Sequence, residues 1–292
     1  MTEAIFSSGK QEEGQYRVYN ETNQLHLENS GLKRSDIRLS AFDELKTLIT
    51  PYPRTARVFK NLINTTQISV LWDMASFITT TRLHMNDHGK VHAMVTASSS
   101  LKILELLYAS DVMPDVIRNN AGDRDDAALV VMMSALCHDI GNAIHRTSHL
   151  SHSMLLAEPV LDMILPTIYH DPVQSMQIRT FILSAIHSHH GEPNPLTIEG
   201  SIVSIGDASD MTKGRAKHST DITTASMHAI STLSIDDVII TRGTARPVEI
   251  QIVMSQLAGM FQVHETLIPK INAGLIGKYI SVYIPLQDQY IY

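Results

Sequence analysis

The chain has one cysteine, Cys137, among 292 residues. A disulfide framework is excluded, and the cytoplasm is the expected location. Long hydrophobic runs are missing as well. The longest, AALVVMMSALC at 127–137, is too short to span a bilayer, so no membrane partner is expected. The opening stretch, MTEAIFSSGKQEEG, lacks a basic segment followed by an apolar one and does not read as a secretory signal. Basic charge is in deficit, with 23 Lys and Arg against 30 Asp and Glu and a net charge of −7. No broad positive field favours long nucleic acid. A small anionic substrate remains open, since metal ions can supply positive charge locally. No internal repeat or low-complexity segment interrupts the chain.

What remains is ordinary for a globular protein: 43% hydrophobic and 18% charged, enough for a sizeable core. Residues 1–45 read as a polar extension. TPYPRT, 50–55, is a proline-punctuated break. Residues 46–235 carry mainly helical spacing, as in Leu62, Ile63, Ile68, Leu71, Trp72 and Ala75. Helices are expected over 90–108, to His138, and over about 148–165, 173–190 and 197–213. DVMPDVIRNNAGDRDD, 111–126, reads as a loop, with Asp125 or Asp126 capping the next helix. His190-Gly191, followed by two prolines, is a helix stop. From 236 to 292 the texture changes. IDDVIITR, RPVEIQIVM and KYISVYIPL look like strands, and 255–271 reads as an amphipathic helix. The expected fold class is mainly α, with a small β-β-α-β module at the C-terminus.

Histidine is the outlier: there are 15, and eleven fall between His84 and His190. Such clustering points to metal or proton chemistry. The most telling stretch is MSALCHDIGNAIH, 133–145, where an apolar helix ends on His138-Asp139. A carboxylate there faces the negative end of the helix dipole, which is unfavourable without a nearby cation. Burial raises the cost further. A divalent ion shared by both residues answers both problems; a plain capping pair is the blander account. Another His-Asp, His170-Asp171, precedes Pro172 and reads as a loop or helix start, so the dipeptide alone decides nothing.

Other groups surround this pair. His88 and His92 are four apart and share a helix face. Both chelate a metal, or one ligates while the other meets substrate, or they belong to a solvated helix start capped by Asp87. His145, His149 and His152 form one stripe if 145–152 is helical throughout. His189 and His190 end a helix and meet one site only where that end faces a pocket. Asp207 and Asp210 lie three apart. Lys213, Arg215 and Lys217 add positive charge suited to a phosphate, or to a helix C-terminus.

The order His92, His138-Asp139, His149, His189-His190-Gly191, Asp207 resembles the HD superfamily of metal-dependent phosphohydrolases, over about 60–220. The resemblance implies an all-helical HD core. It makes His92, rather than His88, the first-helix ligand, and His138 and Asp139 the signature pair, with Asp139 bridging two metals. Asp207 becomes the closing carboxylate. His149, four residues before Ser153, is similar to the extra histidine of the dinuclear branches; His152 is the second choice. His189-His190-Gly191 resembles the His-His-Gly of the ribonuclease Y type. No Gly-Tyr-Pro follows, so a cyclic dinucleotide specificity of the HD-GYP kind is not implied.

The implied activity is hydrolysis of a phosphate ester by a metal-activated water. One metal falls to His92, His138, Asp139 and Asp207, and a second to Asp139, His149, His189 and His190. Asp139, His149 and Asp207 are the catalytic candidates. His88, Lys213 and Arg215 are the substrate-binding candidates. Mixed nitrogen and oxygen donors suit Mn, Fe, Co or Ni better than Mg. Asp210 is placed to orient a ligand histidine. The same ligands also serve HD-type di-iron oxygenases, and a regulatory or sensor protein is a third class. Gly141 is read as a point where the chain turns away, and Cys137 as a small buried residue. The strands' open edges suggest a homodimer or packing on the helical core.

Overall fold

In the computed structural model, residues 34–215 and 231–292 are described. The polar stretch 1–33 and Lys217 lie outside them. Contacts divide the chain into two units, Met1–Asp43 and Glu44–Tyr292. Helix α1, Arg34–Ile49, already occupies the end of the segment read as an extension. The spacing at 62–75 is carried by two helices, α2 (Pro53–Ile63) and α3 (Thr66–Phe77). Between them Thr65 donates its hydroxyl to Leu62 O at 2.7 Å, a side-chain bond that competes with helix continuation.

Helix α4, Lys90–Tyr108, follows as expected. The segment read as a loop at 111–126 contains a helical turn, α5 (Asp115–Arg118). That turn is pinned by tertiary bonds: Val116 N donates to Glu199 Oε1 at 2.7 Å, and Ile198 N to Asp115 Oδ2 at 2.7 Å. Helix α6, Arg124–Cys137, is capped by Asp123, not by the expected Asp125 or Asp126. Asp126 completes the reciprocal capping box from inside the helix. Asp125 turns instead to α2 and accepts from Arg54 N at 2.8 Å and Thr55 N at 3.0 Å.

A 3-10 turn, Ile140–Ala143, separates α6 from α7 (His149–Ile164). Helix α8 is Pro172–Ser188, and its N-cap is Asp171, whose carboxylate accepts from Val173 N at 3.0 Å. The second His-Asp pair is thus a helix cap. Helix α9, Ile198–Ser209, stops four residues short of the expected 213. Asp210 leaves helical geometry there, with ψ 69°.

The C-terminal module holds β1 (Ile235–Arg242) and β2 (Val248–Met254), antiparallel to one another. An irregular helical stretch follows, with α10 (Met260–Gln262), a π-helical turn at Val263–Leu267 and α11 (Ile268–Ala273). Pro269 falls in the first turn of α11, where its missing N–H costs least. Strand β3, Ile280–Ile284, pairs parallel to β2. A two-residue strand, β4 (Gln289–Tyr290), adds a fourth member beyond the β-β-α-β expected. The sheet lies against α4 through β1 and β2, and α11 lies against α9.

Helix α6 is the axis of the helical core. Every residue from Asp125 to Cys137 is buried, and α2, α4, α8 and α9 surround it. Leu129, Met132, Met133 and Leu136 are fully enclosed. Each such side chain contributes about 2 kcal/mol through removal from water. Trp72 of α3 donates its indole N–H to Leu136 O at 2.9 Å, fixing the last turn of α6. The chain therefore leaves α6 inside the protein, and His138 is wholly buried. Among the described residues no helix is long and apolar enough to cross a membrane.

Candidate metal centre

Five histidines converge on the end of α6, and a common bond fixes what each presents. Nδ1 of His88, His138, His149 and His189 meets the backbone carbonyl of Asn86 (2.6 Å), Ala135 (2.7 Å), Arg146 (3.0 Å) and Ile186 (2.7 Å), respectively. A carbonyl accepts only, so each Nδ1 carries the proton. His92 Nδ1 donates to Asp210 Oδ2 at 2.7 Å. In every case Nε2 is left to face inward, the tautomer a metal ligand requires.

Asp139 stands between two of these groups. Its Oδ2 lies 3.4 Å from His92 Nε2 and 3.3 Å from His138 Nε2. Asp207 Oδ1 closes that side, 3.1 Å from His92 Nε2 and 3.6 Å from His138 Nε2. Asp139 Oδ1 faces the other way, 3.5 Å from His149 Nε2 and 3.7 Å from His189 Nε2. Donors about 2.1 Å from a shared ion lie about 3.0 Å apart at right angles and about 3.4 Å apart at tetrahedral angles. Three of the four first-group spacings lie in that range, and those from Asp139 Oδ1 to the second group are up to a few tenths of an ångström longer. His92, His138, Asp139 and Asp207 form one potential metal site, and Asp139, His149 and His189 a second. His149 Nε2 is buried without a hydrogen-bond partner, as an unfilled ligand position would be. The donor set therefore fits divalent cations.

The remaining expected site residues fall in different places. His88 is buried with its Nε2 4.0 Å from Asp139 Oδ2, at the edge of the first group. His190 is exposed and is not brought into the second group. Its Nε2 lies 3.5 Å from Arg146 Nη2, and its ring centre is 5.6 Å from that of His149. The physical reason is that α8 ends at Ser188, so consecutive side chains diverge: His189 turns inward and His190 to the rim. The helical stripe through His145 and His152 does not form, because α7 starts only at His149. His145 is exposed. Arg215 reaches the centre, with Nη2 3.1 Å from His92 Nε2. Lys213 does not; its ammonium pairs with Asp236 at 2.8 Å on the surface.

Three contributors were not singled out in the sequence. Asn142 Nδ2 donates to Asp139 Oδ1 at 2.8 Å and to Asp139 O at 2.9 Å, orienting the shared carboxylate. Arg146 Nη1 lies 3.7 Å from the same oxygen. Lys270 of α11 donates to Asp207 Oδ2 at 2.5 Å. Asn142 and Arg146 at least lie close after the His-Asp motif. For Lys270 the signal was a single lysine inside the apolar run TLIPKI.

Gly141 serves contact rather than turning. A Cβ there would lie 2.2 Å from His149 O and 2.4 Å from Ser153 N. Gly141 N also donates to Ser153 Oγ at 2.9 Å. The Ile-Gly after His-Asp and the small residue four beyond His149 are thus two halves of one contact that seats α7. Gly206 does the same for α9 and α4, since a Cβ there would meet Ser100 Oγ at 2.1 Å.

Electrostatics follow from this packing. Burial alone would raise the Asp139 carboxyl, but His138, His88 and His189 hold it well below the usual range. Burial likewise opposes, and Lys270, His138 and His92 outweigh it, for Asp207. Burial pulls His92 down, as does Arg215, yet Asp139, Asp207 and Asp210 carry it up to about 10. His138 is also raised, by Asp139 and Asp207 against burial. In the second group burial wins, lowering His149 to about 4 and His189 to about 3. His190 is lowered by desolvation, with Lys270 adding to the effect.

A family model for the HD domain matches residues 100–212. An uncharacterized protein of Methanocaldococcus jannaschii is 33% identical over 248 residues, covering 85% of this chain and 94% of the relative. The chain belongs to the HD-domain family of metal-dependent hydrolases. No solved structure matches it. In this HD-domain protein the family match contains His138, Asp139, His149, His189 and Asp207. His92, eight residues before the match begins, joins the first group through the packing of α4 on α6. The all-helical HD core and the appended α+β module agree with the fold class read from sequence.

Proposed function

We propose that this HD-domain protein hydrolyses phosphate esters of small, nucleotide-like substrates, with two divalent ions held at the paired groups. The observation that carries this reading is the division of Asp139, one oxygen toward each histidine pair. A pair of ions bound there supplies a nucleophilic water at neutral pH and charge compensation for the phosphoryl oxygens.

The chain's own groups account for the rest. His92, His138 and Asp207 hold one side, and His149 and His189 the other, with their Nδ1 protons committed to carbonyls or to Asp210. Asn142 keeps Asp139 from rotating and so preserves its two-sided role. Arg215 and Arg146 face the centre from opposite sides, one toward His92 and one toward Asp139 and His190. Planar guanidinium groups there suit the oxygens of a phosphate. Mn, Fe, Co or Ni suits the mixed donors.

The test is elemental analysis of the purified protein, followed by a panel of phosphomonoesters, nucleotides, cyclic dinucleotides and short RNA. Metal-dependent phosphate release or diester cleavage is expected. Oxygen uptake without cleavage of any phosphate ester would overturn the reading.

A further inference from the structure

Lys270 reaches the centre from outside the helical core. It belongs to α11 of the C-terminal module, yet its side chain is buried, with only 6% of the residue exposed. Its ammonium donates to Asp207 Oδ2, while Asp207 Oδ1 faces His92 and His138. Asp207 is thereby split as Asp139 is, one oxygen toward the first metal group and one toward a cation. Oδ2 is occupied, so Asp207 offers a single oxygen to an ion.

The position of the ammonium is enforced from both ends. Helix α11 lies against α9, which carries Asp207. Just beyond α11, Leu275 N donates to Ser201 Oγ of α9 at 2.9 Å. On the other side the lysine stem passes the turn after His190, where a Cβ on Gly191 would lie 3.7 Å from Lys270 Cγ. The ammonium thus meets Asp207 while its stem passes beside the turn that follows His190. An ammonium has three donors. Among the described residues Asp207 is the hydrogen-bond partner of Nζ. A desolvated lysine with spare donors beside a metal group suits an anionic oxygen brought by a ligand.

We propose that Lys270 is a substrate-binding residue: it donates to a phosphoryl oxygen of the bound ester while retaining Asp207. The C-terminal α+β module then completes the site rather than merely covering the helical core. With Arg146 and Arg215, Lys270 makes a third cation facing the centre from a third element. This inference rests on the phosphate-ester reading.

The experiment uses the full-length, metal-loaded chain and inorganic phosphate as the probe. Lys270→Met and Lys270→Arg are compared with wild type by calorimetry, with metal content measured in parallel. Lys270→Met is expected to keep its metals and to bind phosphate about tenfold or more weakly, the scale of one lost charge-assisted hydrogen bond. Lys270→Arg, which keeps the charge, is expected to recover part of that affinity and to fold if the methionine variant does not. KM for any hydrolysed ester is expected to rise in parallel with the phosphate constant. Wild-type phosphate affinity in Lys270→Met, or a loss that merely tracks lost metal, overturns the role of Lys270 alone. A wild-type protein that neither binds phosphate nor cleaves an ester overturns the functional reading as well.

Discussion

His92 donates its Nδ1 hydrogen to Asp210 Oδ2 across 2.7 Å, a bond between residues 118 positions apart. Asp210 has left α9 to make it. A carboxylate behind a ligand imidazole fixes the ring and raises its basicity, and losing one typically costs 10- to 100-fold in metal affinity, as a rough scale. Asp210→Asn is therefore expected to weaken the first metal group by about tenfold or more, leaving the second unchanged. Chelator competition reads both constants, and equal constants in variant and wild type would remove Asp210 from this role.

The shared position of Asp139 sets a sharper expectation. Asp139→Ala is expected to empty both groups, whereas His149→Ala and His189→Ala each affect only the second. Elemental analysis of the folded variants decides it. Full occupancy in Asp139→Ala would sink the bridging assignment.

The two groups also differ in how protons compete with metal. His92 lies at about 10 and so holds an extra proton at pH 7 in the metal-free protein, and His138 is shifted in the same direction. Metal must displace that proton. Apparent affinity at the first group is expected to rise with pH from 7 toward 10, with proton release on binding. His149 at about 4 and His189 at about 3 are already neutral at pH 7. Affinity at the second group is expected to be flat over the same range and to fall only as pH approaches 4. Titration calorimetry in buffers of different ionisation enthalpy measures the release, and no released protons would contradict the ordering.

Gly141 offers a test of the packing. A methyl group there meets backbone atoms of α7 that have no rotamer to escape into. Gly141→Ala is expected to destabilise the fold by roughly 1–3 kcal/mol, the cost of overpacking. Because α7 carries His149, the second metal group should weaken more than the first. Denaturant unfolding together with metal titration checks both, and an unchanged midpoint would mean the contact is looser than the geometry requires.

The residues that assemble here were legible to different degrees. His138-Asp139 was visible because an apolar helix of this length must be buried, and a buried imidazole and carboxylate need a partner. His92, His149, His189 and Asp207 were visible through their order along the chain. The split of His189 from His190 was not, since it depends on where α8 ends. Nor was the capping of α6 by Asp123, because Asp123, Asp125 and Asp126 are alike in sequence and differ only in what they reach.

By itself the sequence determined the helical core, the strand-rich tail and the histidine and carboxylate types offered to a metal, since periodicity and residue type are local properties. Tertiary packing alone decided that Asp139 faces two ways, that Asp210 stands behind His92, and that Lys213 stays at the surface while Lys270 enters. Each of these depends on side chains meeting across separate elements, and no spacing along the chain encodes a distance through the core.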